Sequence, residues 1–184
     1  MLTFCKSGLQ VLMLGSVLLS SLAVSNDAQE ASWESRIQRL SLLDGSTLSE
    51  YIAETESVQT PGVLLRTTYI PRFSCKPLTS IIFDANPSPQ NESFAAQQQT
   101  QLDFFIDGTP VSFPALIDRA GNQLSFHFHG SQERRVKLRL MIDVGDRAQL
   151  QMAEETIDFS LLGSRKMHAY ARKHCREHRP DTNG

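Results

Sequence analysis

The stretch TIDFSLLGSRKMHAYARKHC, residues 156–175, decides the fold of this chain. It predicts a buried strand, a glycine turn and an amphipathic helix that ends on a cysteine. Ser164 is the expected N-cap of that helix. Spacings of three and four residues define its inward face, which we expect to consist of Met167, Tyr170, Ala171, His174 and Cys175.

The amino terminus predicts export. Apart from Gln10, residues 9–24 are apolar or small, and Lys6 is the one positive charge before them. Ala23 and Ser25 occupy the positions that a signal peptidase prefers. We therefore predict a signal peptide over residues 1–25 and a periplasmic or secreted protein. The alternative is an uncleaved anchor, although the run is short against the about 20 apolar residues of a spanning helix.

The cysteines supply a covalent restraint. The chain has three of them, and removal of the signal peptide would take Cys5 away. Cys75 and Cys175 remain, in a chain sent to an oxidising compartment. We therefore predict a Cys75–Cys175 disulfide that ties the last helix to an earlier strand, with two free buried thiols as the alternative.

Short strand patterns fill the chain between these features. The strongest lie at residues 62–70, 78–83, 102–106, 111–117, 148–152 and 157–161. They predict a mainly β fold, an antiparallel β sandwich or partly open barrel with a C-terminal α-helix tethered by the disulfide. We expect a disordered linker at 26–32, a single β-rich domain at 33–178 and a flexible tail at 179–184.

Three finer predictions depend on local patterns. Aliphatic residues occupy every second position over 135–144, and the positions between them hold Arg135, Lys137, Arg139, Met141 and Asp143. This alternation favours a half-buried strand. Asp107-Gly108 predicts a hairpin turn, and Pro110 and Pro114 place its second arm at a sheet edge. Residues 47–58 predict a strand whose solvent-facing side carries Glu50, Glu54 and Glu56.

The sequence contains few motifs that carry chemistry. The chain has no nucleophile elbow, phosphate-binding glycine loop or H-E-x-x-H motif, so we expect no enzyme and no cofactor. His127 and His129 share one strand face and could hold a metal only with a third ligand from a neighbouring strand. Two solvated histidines are the alternative. A net charge of -2 provides no general attraction for nucleic acid.

The last helix carries the clearest candidate binding residues. Its outward face is basic, through Arg165, Lys166, Arg172, Lys173 and Arg176. One interpretation is a patch that binds anionic lipid, polysaccharide or an acidic partner. The pattern favours the other interpretation, a solvated helix face whose cations lie favourably near the carboxyl end of the helix.

The ending Phe159-Ser160-Leu161-Leu162-Gly163, followed by a helix that reaches Cys175, resembles that of two groups of bacterial periplasmic proteins. These are the invasion-associated locus B family and the accessory periplasmic proteins of type VI secretion clusters. Arg72-Phe73-Ser74-Cys75 is similar to a mid-chain pattern of the second group, whose amino-terminal cysteine segment this chain lacks. The resemblance implies an exported accessory protein without catalytic residues.

These observations together predict an exported cell-envelope accessory or binding protein with a protein partner and with membrane contact through the signal segment alone. Two alternatives stay open. One is a small metal-binding protein or hydrolase that uses the strand histidines. The other is a secreted enzyme inhibitor.

Overall fold

The computed structural model describes residues 32–84, 98–152 and 155–178. The predicted signal peptide, nearly all of the predicted linker and the predicted tail lie outside these residues.

The described chain contains nine strands and two α-helices. In chain order they are β1 (Glu34–Ser41), β2 (Thr47–Glu56), β3 (Val63–Tyr69), β4 (Pro77–Phe83), β5 (Gln99–Ile106), β6 (Thr109–Ala120), β7 (Gln123–Phe128), α1 (Gln132–Val144), β8 (Arg147–Met152), β9 (Glu155–Ser160) and α2 (Ser164–Glu177). A short 3-10 turn, Pro71–Phe73, separates β3 from β4. The Asp107-Gly108 hairpin is confirmed, because both residues have positive φ, 48° and 76°, as a tight two-residue turn requires.

The strands form one open antiparallel sheet in the order β1-β2-β3-β4-β7-β6-β5-β8-β9. Its two ends approach each other, because Phe159 of β9 forms a bridge with Ser57, just beyond β2. The Trp33 indole, which precedes β1, donates a hydrogen bond of 2.8 Å to the Ser160 carbonyl. The predicted fold class is confirmed, in the form of a partly open barrel with a disulfide-tethered C-terminal helix.

One hydrophobic core holds the sheet and helices together. Residues of β2 to β9 and of both helices contribute to it. Within it, Phe128 makes edge-to-face ring contacts at 5.5 Å to both Phe104 and Phe113. Such pairs add roughly 0.5–1.5 kcal/mol each to the stabilisation from burial.

The strand prediction for residues 135–144 is wrong, because this segment forms α1. Leu138 and Ile142, four residues apart, are buried on one helix face, whereas Leu140 and Val144 are 48% and 76% exposed. Gln, Glu, Arg, Lys, Leu and Met favour helices, and the Ser131 side chain caps the first turn by accepting from the Arg134 amide. The alternation in the sequence therefore matched the two-residue period by coincidence.

The edge prediction for the second hairpin arm is wrong. β6 lies between β5 and β7, yet β7 pairs only with residues 115–120. The Pro114 carbonyl accepts from the His129 amide on the β7 side. Because N–H and C=O of one residue point to the same side of a strand, Pro110 and Pro114 lack their N–H groups on the β7 side of β6, just beyond the residues that β7 pairs with.

Glu54 corrects a third prediction, since it lies buried rather than in solvent. It is 4% exposed. Its two carboxylate oxygens accept from Arg36 Nε at 2.6 Å and from Arg66 Nε at 2.5 Å. A buried carboxylate is tolerated when it is paired in this way, so Glu54 ties β1 to β3 across β2.

Candidate functional site

The disulfide fixes the position of α2. Cys75 and Cys175 are bonded, with their Cα atoms 5.9 Å apart, and the Cys175 residue is fully buried. Cys75 lies in the turn after Pro71–Phe73, with φ 51°, and not on a strand as predicted. This bond is compatible with an oxidising, extracytoplasmic location.

The inward face of α2 differs in part from the predicted one. Ala171 and Cys175 are buried as expected, but Tyr170 is 52% exposed and His168 is buried in its place. Gly163, with positive φ, is the N-cap instead of Ser164. The buried Ser164 hydroxyl donates to the Ile142 carbonyl of α1 at 2.8 Å.

A buried charge network joins the two helices. Asp143 of α1 accepts from Arg139 through one carboxylate oxygen and contacts His168 Nδ1 through the other at 2.5 Å. The Trp33 ring stands edge-on to His168, with centroids 4.8 Å apart. No partner for His168 Nε2 or for the Tyr69 hydroxyl lies within the described residues. Burial raises the pKa of Tyr69 well above its ordinary value, so this hydroxyl stays protonated.

The outward face of α2 is a continuous basic stripe, which consists of Arg165, Lys166, Arg172, Lys173 and Arg176. At 100° per residue these five positions span an arc of about 120° and a length of about 16 Å. Within the described chain, only Lys173 of the five pairs with a carboxylate, that of Glu177 at 3.8 Å. The stripe therefore presents positive charge at the surface, and none of its residues belongs to the hydrophobic core.

The surroundings of the stripe strengthen its charge. Residues 71–76, α1 and α2 together carry eleven lysines and arginines against three carboxylates, a net charge of +8, in a chain whose total is -2. These segments lie on one side of the molecule, because the disulfide joins the turn to α2 and because α1 packs on α2 and β4. A protein with a small net charge thus presents one strongly basic side.

A groove of about 600 Å³ opens beside the carboxyl end of α2. The β1–β2 hairpin, the turn after β3 and His178 line it, and Arg39 and Arg72 supply its cations. The His178 ring stacks on the Tyr51 ring with centroids 5.6 Å apart. Tyr51 is 3% exposed, and burial raises the pKa of its hydroxyl while nearby Arg39 opposes that shift.

The strand histidines do not come together with further ligands in the described chain. His127 Nδ1 lies 2.8 Å from the Ser80 hydroxyl, and its Nε2 lies 3.9 Å from Asp118. Desolvation against the sheet lowers the pKa of His127, and Asp118 opposes that shift. The described residues contain no group of three or more potential metal ligands, and the metal hypothesis for His127 and His129 stays a prediction.

Comparisons with known proteins identify no relative for this chain. No protein-family model, curated protein or solved structure matches the chain. Within the described residues, no helix has the length and apolar character needed to cross a membrane.

The sequence indicated the stripe and missed the groove. Helical spacing is enough to gather the five stripe cations on one side of a predicted helix. Arg39 and Arg72, in contrast, are 33 residues apart in the chain. They come together only because the sheet and the disulfide bring the β1–β2 hairpin, the turn at Cys75 and the end of α2 into contact.

Proposed function

We propose that this protein is an exported binding protein of the cell envelope, periplasmic or secreted, that attaches to an acidic protein partner through the basic stripe of α2. One observation carries the proposal. Five cations cover the exposed face of a helix whose opposite face is fixed by a disulfide and a buried charge network.

Rigidity supports a binding role for the stripe. A recognition surface on an element with fixed position loses little conformational entropy when it binds. α2 is held at its amino end through Ser164 and His168, and near its carboxyl end through Cys175. The five side chains therefore extend from a backbone whose position does not have to change when the partner binds.

The choice of a protein partner rests on the size and density of the charge. A stripe about 16 Å long with a depression of about 350 Å³ at Arg172, Lys173 and Arg176 fits a patch of carboxylates on a folded surface. Complementary charges of this kind raise association rates and select partners. The predicted signal peptide and the resemblance to exported accessory proteins agree with a location in the envelope.

Affinity capture from an envelope extract tests the proposal. The tagged mature protein should retain an acidic protein, and R165Q with R176Q should lose most of it. R134Q with K137Q, on exposed positions of α1 outside the stripe, removes the same charge from the same basic side and should retain the partner. Equal loss in both variants would show an unspecific charge effect, and retention by both would contradict the proposal.

A further inference from the structure

The groove beside α2 has the features of a ligand site. Its volume of about 600 Å³ lies within the range of roughly 300–1,000 Å³ that is usual for such sites. Apolar side chains form much of its lining, among them Ile37, Leu42 and Leu48. Arg39 and Arg72 add two exposed guanidinium groups, and no carboxylate belongs to the lining. The groove therefore favours a ligand that carries both an apolar and an acidic group.

The floor of the groove contains a hydroxyl that the fold leaves available. Tyr51 is almost completely buried, and its hydroxyl has no hydrogen-bond partner within the described part of the chain. The stacked His178 ring keeps the Tyr51 ring in place. The His178 Nδ1 lies 2.9 Å from the His174 carbonyl, which can only accept, so Nδ1 carries the proton and donates.

The groove adjoins a free sheet edge. β1 is the first strand of the sheet, and over residues 34–41 it pairs only with β2 within the described chain. Ile37 and Arg39 lie two positions apart on β1, and therefore on the same face, opposite Tyr51 and Ser49 of β2. Both line the groove, and Ile37 is 50% exposed.

A strand added beside β1 would place alternate side chains on the face of Ile37 and Arg39. Side chains directly opposite one another on neighbouring strands interact, and apolar pairs and opposite charges are favourable. An apolar residue would lie opposite Ile37. An acidic residue two positions away would lie opposite Arg39, within reach of the groove that also contains Arg72.

We infer that the groove and the edge of β1 bind an extended segment of the protein partner in which an apolar and an acidic residue lie two positions apart. Backbone hydrogen bonds to β1 supply sequence-independent affinity, and the groove selects the side chains, as in other cases of strand addition. The two guanidinium groups bind the carboxylate in the bidentate manner that arginine favours. This inference rests on the proposed function, since it describes how the protein recognises a segment of the same partner.

Synthetic peptides test the inference separately from partner capture. The probes are capped heptapeptides of threonine with one leucine and one glutamate two positions apart, T-T-L-T-E-T-T and T-T-E-T-L-T-T. NMR titration of the mature protein should show shifts in the β1 amides and at Tyr51 and His178. A matched control, T-T-L-E-T-T-T, places the two side chains on opposite faces and should bind at least about tenfold more weakly.

Variants of both molecules complete the design. R39Q or R72Q should weaken binding at least about tenfold, whereas R176Q, on the stripe, should leave it unchanged. Alternate backbone amides of the peptide can be N-methylated in two ways, on the odd or on the even positions. One of these two patterns should abolish binding, because it removes the N–H groups that donate to β1. Equal binding of the two spacings, no binding of any peptide, or indifference to R39Q and R72Q would each overturn the inference.

The capture and titration experiments distinguish failure of the groove inference from failure of the proposed function. Peptides without affinity, together with stripe-dependent capture of a partner, would remove the groove inference and leave the proposed function intact. Peptides that bind as expected, together with capture that ignores the stripe, would contradict the proposed function and leave the groove as a peptide site.

Discussion

The two faces of α2 show what the fold needs and what it does not. The inner face, with Ser164, His168 and Cys175, is buried and bonded to α1 and to the turn at Cys75. The outer face carries the five stripe cations, of which only Lys173 has a carboxylate partner in the described chain. The inner face holds the fold together, whereas the outer face carries the proposed binding residues. We therefore expect substitutions on the inner face to change stability and substitutions on the outer face to change the proposed binding alone.

Loss of the disulfide should have the largest effect. Its loop spans 100 residues, and removal of a native disulfide from a small exported domain typically costs 2–5 kcal/mol. We expect C75A with C175A to lose about 4 kcal/mol of unfolding free energy in urea titrations. Mass spectrometry of the non-reduced wild-type protein should find one linked peptide. Two alkylatable thiols in the wild type would contradict this assignment.

The charge network at the inner face should come second. D143A leaves the Arg139 guanidinium without its carboxylate and deprives His168 of its partner. Removal of one member of a buried pair costs roughly 3–5 kcal/mol, and because Arg139 reaches some solvent we expect about 3 kcal/mol. E177A, which removes an exposed carboxylate from α2, should change stability by less than about 0.5 kcal/mol. Equal effects would refute the assigned difference between the faces.

The Tyr69 hydroxyl is a group near the inner face whose removal should not lower stability. It is buried without a partner in the described chain, beside the inner face of α2. Loss of an unsatisfied buried polar group is neutral or favourable when the shape is kept. Thermal unfolding of Y69F should therefore show no loss of stability, with a gain of up to about 1 kcal/mol. A loss above about 1 kcal/mol would reveal a hydrogen bond of this hydroxyl that the structure does not show.

Removal of stripe charge should have the smallest effect on stability. Arg165 and Arg176 have no ion pair in the described chain, and surface substitutions of this kind usually change stability by less than about 0.5 kcal/mol. R165Q with R176Q should unfold at the urea concentration of the wild type and lose partner capture. A clear shift of the unfolding midpoint would assign the stripe a structural role.

The sequence was sufficient to predict those features that depend on neighbouring residues or on a covalent bond. The hairpin at Asp107-Gly108 depends on adjacent residues, and the disulfide was predicted by counting the cysteines that lie outside the predicted signal peptide. The basic stripe of α2 needs only helical spacing. These features agree with the structure because no distant contact competes with them.

The remaining features depend on tertiary context. Residues 135–144 match both periods, and only packing of Leu138 and Ile142 selects the helix. Glu54 is buried because Arg36 and Arg66 reach it from the two neighbouring strands. His168 replaces Tyr170 on the inner face because Asp143 of α1 supplies its partner. Each depends on a residue that chain order does not place nearby.

Site-specific photocrosslinking tests the central claim most directly. Ala169 is exposed in the middle of the stripe, and a photoreactive residue there should form one discrete adduct with an acidic protein in envelope extract. The same group at Ala120 on β6, four strands away from β2 in the sheet, serves as the control. An adduct from position 169 that disappears with R165Q and R176Q is the expected result. No adduct from 169, or the same adduct from position 120, would contradict the account.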